Sequence, residues 1–378
     1  MPPKIFMIAC EPSGDIHGDS LARELKKLSP SCELSGLGGP RMKEAGVALL
    51  YDMTRISALG FGDVVRQYFT YRKIFYQALN AVNRSRPDVL ILIDSPAFNL
   101  RFAKKIKKEL PVIYYISPQI WAWGKRRIHT IKKTVFKMLV ILPFETALYE
   151  AAGIPCEFVG HPLLDHLDLP EDRTALRQKL NIHSNETAIG LLPGSRASEV
   201  RRILPSMLES AQLLQKNLLN AVFFLAHSPN VSPDIYETLK KEYPQIRLRS
   251  HKDSIHSLLA AMDFALIASG TATLEAALIG TPFSLLYKTN WSTYWLGRCL
   301  IRVPYLGIVN LLAGKRVVPE FIQRISPAKI AHEAEALLKN AELYQKMKKE
   351  FAAVRGKLGD KGASSRAACA ILKGIKQL

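Results

Sequence analysis

Two turns in the second half of the chain carry residue types that suit a phosphate group. Residues 191–199 read LLPGSRASE, an apolar run that stops at Pro-Gly-Ser-Arg and continues into a helix-like pattern. Backbone N–H groups at the start of a helix attract anions, and an arginine beside them matches phosphate. Taken alone, this turn is equally typical of a strand-to-helix corner with Arg196 in solvent.

The second turn lies in residues 268–278, which read ASGTATLEAAL and again join an apolar run to a helix-like pattern. Its N–H groups and hydroxyls suit a diphosphate, and Glu275, one helical turn beyond Thr271, is placed to reach ribose hydroxyls. Two such turns in one half of a chain favour a nucleotide diphosphate site. We predict this site at Gly194, Ser195, Arg196, Ser269, Gly270, Thr271 and Glu275.

Acidic residues occupy two turns of the first half. Glu11 and Asp15 lie in CEPSGDIHGD, which lacks the Gly-x-Gly-x-x-Gly of dinucleotide sites. Two acids there repel a pyrophosphate but suit sugar hydroxyls, and Asp15 is alternatively the cap of a tight turn. Asp94 ends the apolar run of ILIDSPAFN. It is either a helix cap or a general base whose pKa is raised by apolar surroundings.

Missing motifs narrow the chemistry further. The chain has no Gly-x4-Gly-Lys-Ser/Thr loop, no Gly-x-Ser-x-Gly elbow and no Asp-x-Asp pair for a nucleotide-bound metal. We therefore expect a site with no metal and no cofactor, in which Arg196 and backbone dipoles meet the phosphate charge. His161, in the sequence GHP, stays without an assigned role.

The charge balance of the 378-residue chain favours an anionic partner. There are 52 Lys and Arg against 33 Asp and Glu, a formal net charge of +19, which suits nucleic acid, an acidic lipid surface or a phosphorylated metabolite. The five scattered cysteines show no metal or disulfide spacing and favour a reducing cytosol. Neither a signal peptide nor a membrane-spanning segment is expected, because no apolar run is long enough.

Short apolar runs alternate with longer amphipathic stretches along most of the chain. Runs too apolar to alternate indicate parallel sheets covered on both faces. We therefore predict an α/β fold of two tandem, Rossmann-like, doubly wound domains that face a cleft. The domains are expected at residues 1–165 and 185–345, followed by C-terminal helices at 346–378. Strands are predicted at IFMIACE, DVLILID, VIYYISP, MLVILP, CEFVGHP, AIGLLPG, AVFFLAH, IRLRS, DFALIAS and PFSLLYK.

Three segments, residues 64–79, 114–133 and 290–302, combine aromatic with basic residues. This mixture suits the boundary between water and lipid, stacked nucleotides, or an aromatic core beside a solvated basic helix. Three such segments in one chain favour a face that contacts a membrane surface.

The assembled motifs resemble one family. EPSGDIHG, GLGGPRM, IDSPAFN, YYISPQIWAWGKRRIHTIKK, LPFE, FVGHPLLD, LLPGSRASEV, ASGTATLEAAL and NLLAGKRVVPEFIQ resemble lipid-A-disaccharide synthase over nearly the whole chain. The resemblance implies the GT-B fold and an inverting, metal-independent glycosyltransferase of lipid A biosynthesis. Its substrates are then UDP-2,3-diacylglucosamine and 2,3-diacylglucosamine 1-phosphate, and its products a β-1,6-linked disaccharide 1-phosphate and UDP. The implied location is peripheral, on the cytoplasmic face of a Gram-negative inner membrane.

The resemblance also implies roles for residues. Asp94 is expected to deprotonate the acceptor's 6-hydroxyl as it attacks the donor, which gives inversion in one displacement. Ala97 departs from family members that carry an acid there, which leaves Asp94 as the main base candidate. The C-terminal region is expected to cross back to the N-terminal domain, or to a partner in a homodimer that then supplies Asn310 and Glu320. Substrate contacts are expected from Glu11, Ser13, Gly14, Asp15, Asn310 and Glu320.

Two other functions stay open at this point. A UDP-N-acetylglucosamine 2-epimerase also uses two Rossmann-like domains and a UDP-sugar, but it needs no aromatic and basic face. A non-catalytic binder of nucleic acid or acidic membrane accounts for the charge of +19. It does not need Asp94 and Glu275 in strand-end turns, where acids oppose phosphate. We therefore expect no nucleic-acid partner.

Overall fold

The computed structural model divides the chain into two compact units. The first comprises Met1–His166 together with Leu358–Leu378, and the second comprises Leu167–Lys357. The structure describes residues 2–54, 64–167, 172–301 and 303–376, with the backbone alone for residues 64–68. Residues 168–171, inside the linker expected at 165–185, lie outside the described residues.

A seven-stranded parallel sheet runs through the first unit in the order β3-β2-β1-β4-β5-β6-β7. Its strands are β1 (Lys4–Ala9), β2 (Glu33–Gly38), β3 (Ala48–Asp52), β4 (Val89–Ile93), β5 (Val112–Tyr115), β6 (Lys137–Val140) and β7 (Cys156–Phe158). The helices between them are α1 (Pro12–Leu28), α2 (Pro40–Glu44), α3 (Val64–Ser85), α4 (Pro96–Ala103), α5 (Arg127–Thr134), α6 (Pro143–Glu150) and α7 (Leu163–His166).

The central strands form because both of their faces are apolar. β4 reads VLILI, and every one of its residues is buried, as a parallel strand covered on both sides requires. Helix α1 covers one face, and α3, α4 and α6 cover the other. The chain order reverses between the neighbouring strands β1 and β4. Ligands of such sheets bind beyond the carboxyl ends of the strands at this reversal, where Glu11 and Asp94 lie.

A six-stranded parallel sheet forms the second unit, in the order β10-β9-β8-β11-β12-β13. The strands are β8 (Thr187–Leu192), β9 (Ala221–Ala226), β10 (Leu248–His251), β11 (Phe264–Ala268), β12 (Phe283–Tyr287) and β13 (Glu320–Ile322). The helices are α8 (Arg173–Lys179), α9 (Ala197–Asn217), α10 (Pro233–Lys240), α11 (Ile255–Ala261), α12 (Thr271–Ile279), α13 (Trp291–Leu300), α14 (Ile308–Ala313), α15 (Pro327–Lys339) and α16 (Ala341–Lys357).

The order of this second sheet reverses between β8 and β11, which pair directly. The turns that follow these two strands therefore lie side by side at the carboxyl edge of the sheet. The predicted α/β fold with two parallel sheets is confirmed. Strands β2, β3 and β13 fall outside the apolar runs from which strands are predicted. None of the helices in the described ranges has the combined length and apolar character that crossing a bilayer requires.

The last helix, α17 (Ala363–Lys376), ends the chain but belongs to the first unit, where it packs against α1. Asp165 accepts hydrogen bonds from the N–H groups of Gly362 at 2.6 Å and Ser364 at 3.2 Å. Arg366 Nε donates to the carbonyl oxygen of Val159 at 2.8 Å. Helix α16, which the expected boundary at residue 345 divides, lies wholly in the second unit.

We expect Asp165→Ala to loosen α17, because three N–H groups at its start lose their acceptor. Loss of such a cap costs about 1 kcal/mol, which corresponds to roughly fivefold faster amide exchange through local opening. Hydrogen exchange across residues 363–376, measured by mass spectrometry, checks this. Asp360→Ala removes an exposed carboxylate near the same helix and serves as the control. Equal exchange in the two variants contradicts the capping role.

Candidate active site

The turn after β4 places Asp94 in an uncommon backbone conformation. Asp94 and Ser95 have φ angles of 49° and 44°, in the left-handed region that few non-glycine residues adopt. Pro96 then starts α4, where its fixed φ suits the first helical position. The N-cap position of α4 is Ser95, so Asp94 is not the cap that the sequence left open.

Two buried side chains hold this turn. Asn99 Nδ2 donates to the carbonyl oxygens of Ile93 at 3.0 Å and Asp94 at 2.7 Å. The Tyr114 hydroxyl donates to the same carbonyl oxygen of Asp94. Strained backbone conformations cost of order 1–3 kcal/mol each, and these hydrogen bonds offset part of that cost. The orientation of Asp94 therefore depends on Asn99 and Tyr114.

The surroundings of Asp94 disfavour its charged form. Burial raises the pKa of its carboxyl, the N–H of Ser95 opposes this increase, and the negative charge of Glu11 adds to it. A carboxylate with a raised pKa is a better proton acceptor near neutral pH. The geometry thus suits a general base.

Asp15 is used within the fold. Its carboxylate accepts hydrogen bonds from the N–H groups of Gly39 at 2.8 Å, Met42 at 3.1 Å and Arg41 at 3.1 Å. These groups belong to the start of α2, so Asp15 caps that helix and joins it to α1. The sequence offers a cap of its own tight turn as the alternative to a sugar contact. The structure places Asp15 inside α1 and makes it the cap of α2, and its sugar contact stays a prediction.

The other predicted residues of this turn divide between surface and interior. Glu11 and Ser13 are exposed at the start of α1. Gly14 is buried against β1, where an added Cβ would lie 3.3 Å from the Cβ of Ala9. Glu11 and Ser13 are therefore accessible to a ligand, whereas Gly14 permits the close packing of α1 on the sheet.

A cavity of about 720 Å³ opens beside the Asp94 turn in the first unit. Residues 95–98 of the turn line it, together with Cys10 and Glu11 from the turn after β1. Its volume is in the range of small-molecule sites, and its walls are largely apolar. The further lining residues are four aromatics and three arginines, namely Tyr71, Phe75, Tyr76, Trp123, Arg72, Arg101 and Arg127.

The two tryptophans of the segment 114–133 have different environments. Trp121 Nε1 donates to Glu145 Oε1 at 3.1 Å. Glu145 is 1% exposed, and burial raises the pKa of its carboxyl to about 7. Trp123 is 42% exposed, and Arg127 stacks on its ring with Cζ 4.1 Å from the centroid. One tryptophan thus anchors the segment in the core, and the other forms part of the cavity wall.

In the second unit, a carboxylate holds the PGSR turn. Glu199 Oε2 accepts hydrogen bonds from the N–H groups of Ser195 at 3.1 Å and Arg196 at 3.3 Å. Arg196 Nη1 donates to Glu199 Oε1 at 3.0 Å, and the Arg196 side chain is 77% exposed. Gly194 has a φ of 114°, and a Cβ there would lie 2.6 Å from Glu199 Oε2. The turn therefore requires glycine at 194 and leaves the guanidinium accessible to an anion.

The neighbouring turn after β11 leaves room beside its backbone. A Cβ added at Gly270 would meet none of the described atoms within 4 Å. Ser269 is half-buried, and Thr271 is exposed at the start of α12. Glu275 lies one turn further along, with its Oε1 3.7 Å from His256 Nε2. The start of α12 thus offers backbone N–H groups to an anion next to the PGSR turn.

Asn310 and Glu320 interact with each other and hold the segment that precedes β13. Asn310 Nδ2 donates to Glu320 Oε1 at 2.8 Å and to the carbonyl oxygen of Val318 at 2.9 Å. Asn310 Oδ1 accepts the N–H of Val318 at 2.9 Å, and Glu320 accepts the N–H of Gly307 at 2.9 Å. Asn310 is completely buried. Both side chains therefore use these polar atoms in hydrogen bonds within the protein, and their contact with substrate stays a prediction.

Comparison with known proteins identifies the family. Residues 5–373 match the family model described as lipid-A-disaccharide synthetase. The chain belongs to the lipid-A-disaccharide synthase family. Lipid-A-disaccharide synthases of Trichlorobacter lovleyi and Syntrophus aciditrophicus are 39% and 40% identical to it, over 100% and 99% of this chain and 98% of each relative. This match agrees with the resemblance of the motifs and decides against the epimerase alternative.

Solved structures show the same two-domain fold at low sequence identity. A putative UDP-N-acetylglucosamine 2-epimerase from Listeria monocytogenes has a TM-score of 0.66 and 13% identity, covering 100% of this chain and 98% of that chain. The calicheamicin glycosyltransferase CalG4 has a TM-score of 0.62 and 13% identity, and the match covers 100% of this chain and 99% of CalG4. This family member therefore has the predicted GT-B fold, which epimerases and glycosyltransferases share.

Several residues that shape the site are not predicted from the sequence. Asn99 and Tyr114 hold the Asp94 turn, Glu199 holds the PGSR turn, and Glu145 anchors the tryptophan segment. Glu199 had a recognisable signal, because an acid at the third position of a helix often accepts N–H groups of the preceding turn. The other three are found only from the fold.

We expect the buried Glu145 to make folding dependent on pH. Its pKa is raised from 4.5 to about 7 in the folded state, so the folded protein binds more protons than the unfolded chain between these values. Stability therefore falls as pH rises from about 4.5 to about 7, by on the order of 3 kcal/mol. The glutamine of Glu145→Gln does not ionise, so the melting temperature of this variant relative to wild type should rise between about pH 4.5 and about pH 7.

The matched control is Glu150→Gln, which removes an exposed carboxylate from the same helix. Its melting temperature should follow that of the wild type at every pH. A constant difference between Glu145→Gln and wild type across this range is the result that contradicts the raised pKa.

Proposed function

We propose that the chain transfers the diacylglucosamine unit of UDP-2,3-diacylglucosamine to the 6-hydroxyl of 2,3-diacylglucosamine 1-phosphate. The products are the β-1,6-linked disaccharide 1-phosphate and UDP. The observation that carries this proposal is Asp94, a carboxylate of raised pKa held in a strained turn beside an aromatic cavity. Membership of the lipid-A-disaccharide synthase family supports the choice of reaction.

In the proposed mechanism, the second unit binds the donor. Ser269, Gly270 and Thr271 supply N–H groups and hydroxyls, and Glu275 takes the ribose hydroxyls. Gly194, Ser195 and Arg196 hold the diphosphate, whose charge competes with the Glu199 carboxylate for the same donors. The negative charge that develops on the leaving diphosphate is then stabilised by one guanidinium and by helix N-termini, with no metal required.

The first unit binds the acceptor and supplies the base. Asp94 removes the proton of the 6-hydroxyl while that oxygen attacks the anomeric carbon of the donor. The bond from this carbon to the diphosphate oxygen breaks, and UDP leaves with the electron pair. Because attack and departure occur on opposite faces of the sugar, one displacement inverts the anomeric configuration. Glu11 and Ser13 are the accessible residues for contacts to sugar hydroxyls.

We also propose a peripheral location on the cytoplasmic face of the inner membrane. Both substrates carry acyl chains, and exposed aromatic side chains flank both units. Trp291 and Trp295 on α13 are 51% and 62% exposed, and Phe69 on α3 is 61% exposed. Such rings next to basic residues suit the surface of an anionic bilayer. The homodimer stays a proposal as well, and the molar mass in solution tests it.

We expect Asp94→Asn to lower kcat by 10²- to 10⁴-fold, because the amide cannot accept the proton. UDP release from both diacylated substrates, in detergent micelles with a chelator, measures it. The variant should keep wild-type affinity for UDP, and Asp360→Asn, an exposed change, should keep wild-type turnover. Wild-type turnover in Asp94→Asn rules out the proposed base, and the absence of UDP release by wild type rules out the reaction.

We expect Arg196→Ala to weaken UDP binding by about 10-fold or more, the typical effect of losing a hydrogen bond to a charged group. Isothermal titration with UDP measures the affinity. Arg201→Ala removes an exposed arginine from α9, the helix that follows Arg196, and is the matched control. Equal affinities in the two variants contradict the assignment of the diphosphate to the PGSR turn.

A further inference from the structure

Three arginines from three different helices meet at the cavity beside Asp94. Arg72 lies on α3, Arg101 on α4 and Arg127 at the start of α5, and all three line the same space of about 720 Å³. On α4, Ala97 and Arg101 are four residues apart and so lie on one face of the helix. The fold thus concentrates positive charge in a cavity whose other walls are largely apolar, apart from Glu11 and Ser95.

The ion pairs in the described part of the first unit do not include these arginines. Among the described residues, no carboxylate forms an ion pair with Arg72, Arg101 or Arg127. Two of them stack on rings instead, Arg127 on Trp123 with Cζ 4.1 Å from the centroid and Arg72 on Tyr76 at 5.9 Å. Stacking orients the guanidinium plane and leaves its N–H edges available to an anion.

The walls of the cavity indicate what accompanies the anion. Tyr71, Phe75, Phe98 and Trp123 give an aromatic surface that an acyl chain can contact. Phe75 and Phe98 pack edge to face with their centroids 5.3 Å apart, which fixes this wall. A ligand that satisfies both parts of the cavity is an amphiphile with an anionic head and an apolar chain.

The acids of the same cavity restrict the charge of that head. Glu11 lines the cavity, and Asp94 immediately precedes the lining residue Ser95. Both carboxylates oppose a polyanion such as a nucleic acid or a diphosphate. A single phosphate group that reaches the arginines while a neutral hydroxyl faces the acids is compatible with both.

We propose that Arg72, Arg101 and Arg127 bind the 1-phosphate of the acceptor while the aromatic wall holds one of its acyl chains. This inference rests on the proposed function and assigns the acceptor subsite. In the acceptor, C1 and C5 flank the ring oxygen. C1 carries the phosphate, and C5 carries the exocyclic C6 with its hydroxyl, so both groups lie on the same edge of the sugar. Anchoring the phosphate on the arginines therefore turns the 6-hydroxyl toward Asp94, and Arg101 selects phosphorylated acceptors.

The test compares two acceptors, 2,3-diacylglucosamine 1-phosphate and the same lipid without its phosphate. UDP release by the full-length protein in neutral detergent micelles gives kcat/KM for each. With the phosphorylated acceptor, Arg101→Gln and Arg127→Gln should each lose about 10-fold or more in kcat/KM, mainly through KM. With the unphosphorylated acceptor, the kcat/KM of the wild type should already be low, and both variants should have the same kcat/KM as the wild type.

The controls separate phosphate binding from general damage. Lys104→Gln removes an exposed positive charge three residues beyond Arg101 and should retain wild-type kcat/KM with both acceptors. The KM for the UDP-sugar donor should stay at its wild-type value in the arginine variants. Arg101→Lys should have a KM for the phosphorylated acceptor between those of the wild type and Arg101→Gln, because lysine keeps the charge but not the planar fork. Melting temperatures close to wild type show that the variants are folded.

The outcomes distinguish this inference from the proposed function. If the wild type releases no UDP with either acceptor, the proposed function itself is overturned. Robust wild-type turnover with equal losses for both acceptors in Arg101→Gln and Arg127→Gln, or with no loss at all, overturns the phosphate subsite alone. A third outcome is that the arginine variants lose kcat/KM only on vesicles that contain phosphatidylglycerol and not in neutral micelles. That result assigns the arginines to a lipid headgroup and likewise overturns the phosphate subsite.

Discussion

The carbonyl group of Asp94 is the point on which the carboxyl edge of the first sheet depends. It accepts hydrogen bonds from Asn99 and Tyr114, and these bonds keep Asp94 and Ser95 in left-handed conformations that are otherwise unfavourable. The turn fixes the direction in which α4 leaves the sheet. Through α4 it also fixes Arg101, so the acid and the arginine that flank one cavity are positioned by the same buried bonds.

Several acids hold loops together, and for Asp15 and Glu320 a contact with substrate stays a prediction beside this role. Asp15 caps α2, Asp165 caps α17, and Glu320 binds Asn310 and the N–H of Gly307. A doubly wound domain has many strand-to-helix turns, and each leaves N–H groups without partners at a helix start. Carboxylates from neighbouring segments accept hydrogen bonds from these groups. The geometry of these turns is therefore held by hydrogen bonds within the protein.

The fold follows from the sequence wherever a strand is covered on both faces. β4 and β9 read as continuous apolar runs, and these runs are sufficient to predict a parallel sheet. β2, with the sequence ELSGLG, has polar and glycine residues, β3 is an exposed edge strand, and β13 has only three residues. Such strands form because a neighbour is already in place, so their own residues give little indication of them.

The parts of the site that are formed by contiguous residues are predictable from the sequence. Turns such as PGSR and IDSP are contiguous, and their position after apolar runs places them at the carboxyl edge of a sheet. The arginine cluster is different, because residues 72, 101 and 127 lie far apart in the chain and meet only through the order of β1, β4 and β5. Glu145 likewise reaches Trp121 only through the adjacent positions of β5 and β6.

Electrostatics link the two ends of the cavity. Burial and Glu11 already raise the pKa of Asp94, and a phosphate monoester nearby would raise it further by adding negative charge. An aspartic acid that stays protonated cannot accept a proton, so an uncompensated phosphate would suppress the base it needs. In the proposed acceptor complex, the arginines offset the negative charge of the phosphate that they bind. The approach of an anionic substrate then adds less to the pKa of Asp94 than burial and Glu11 already do.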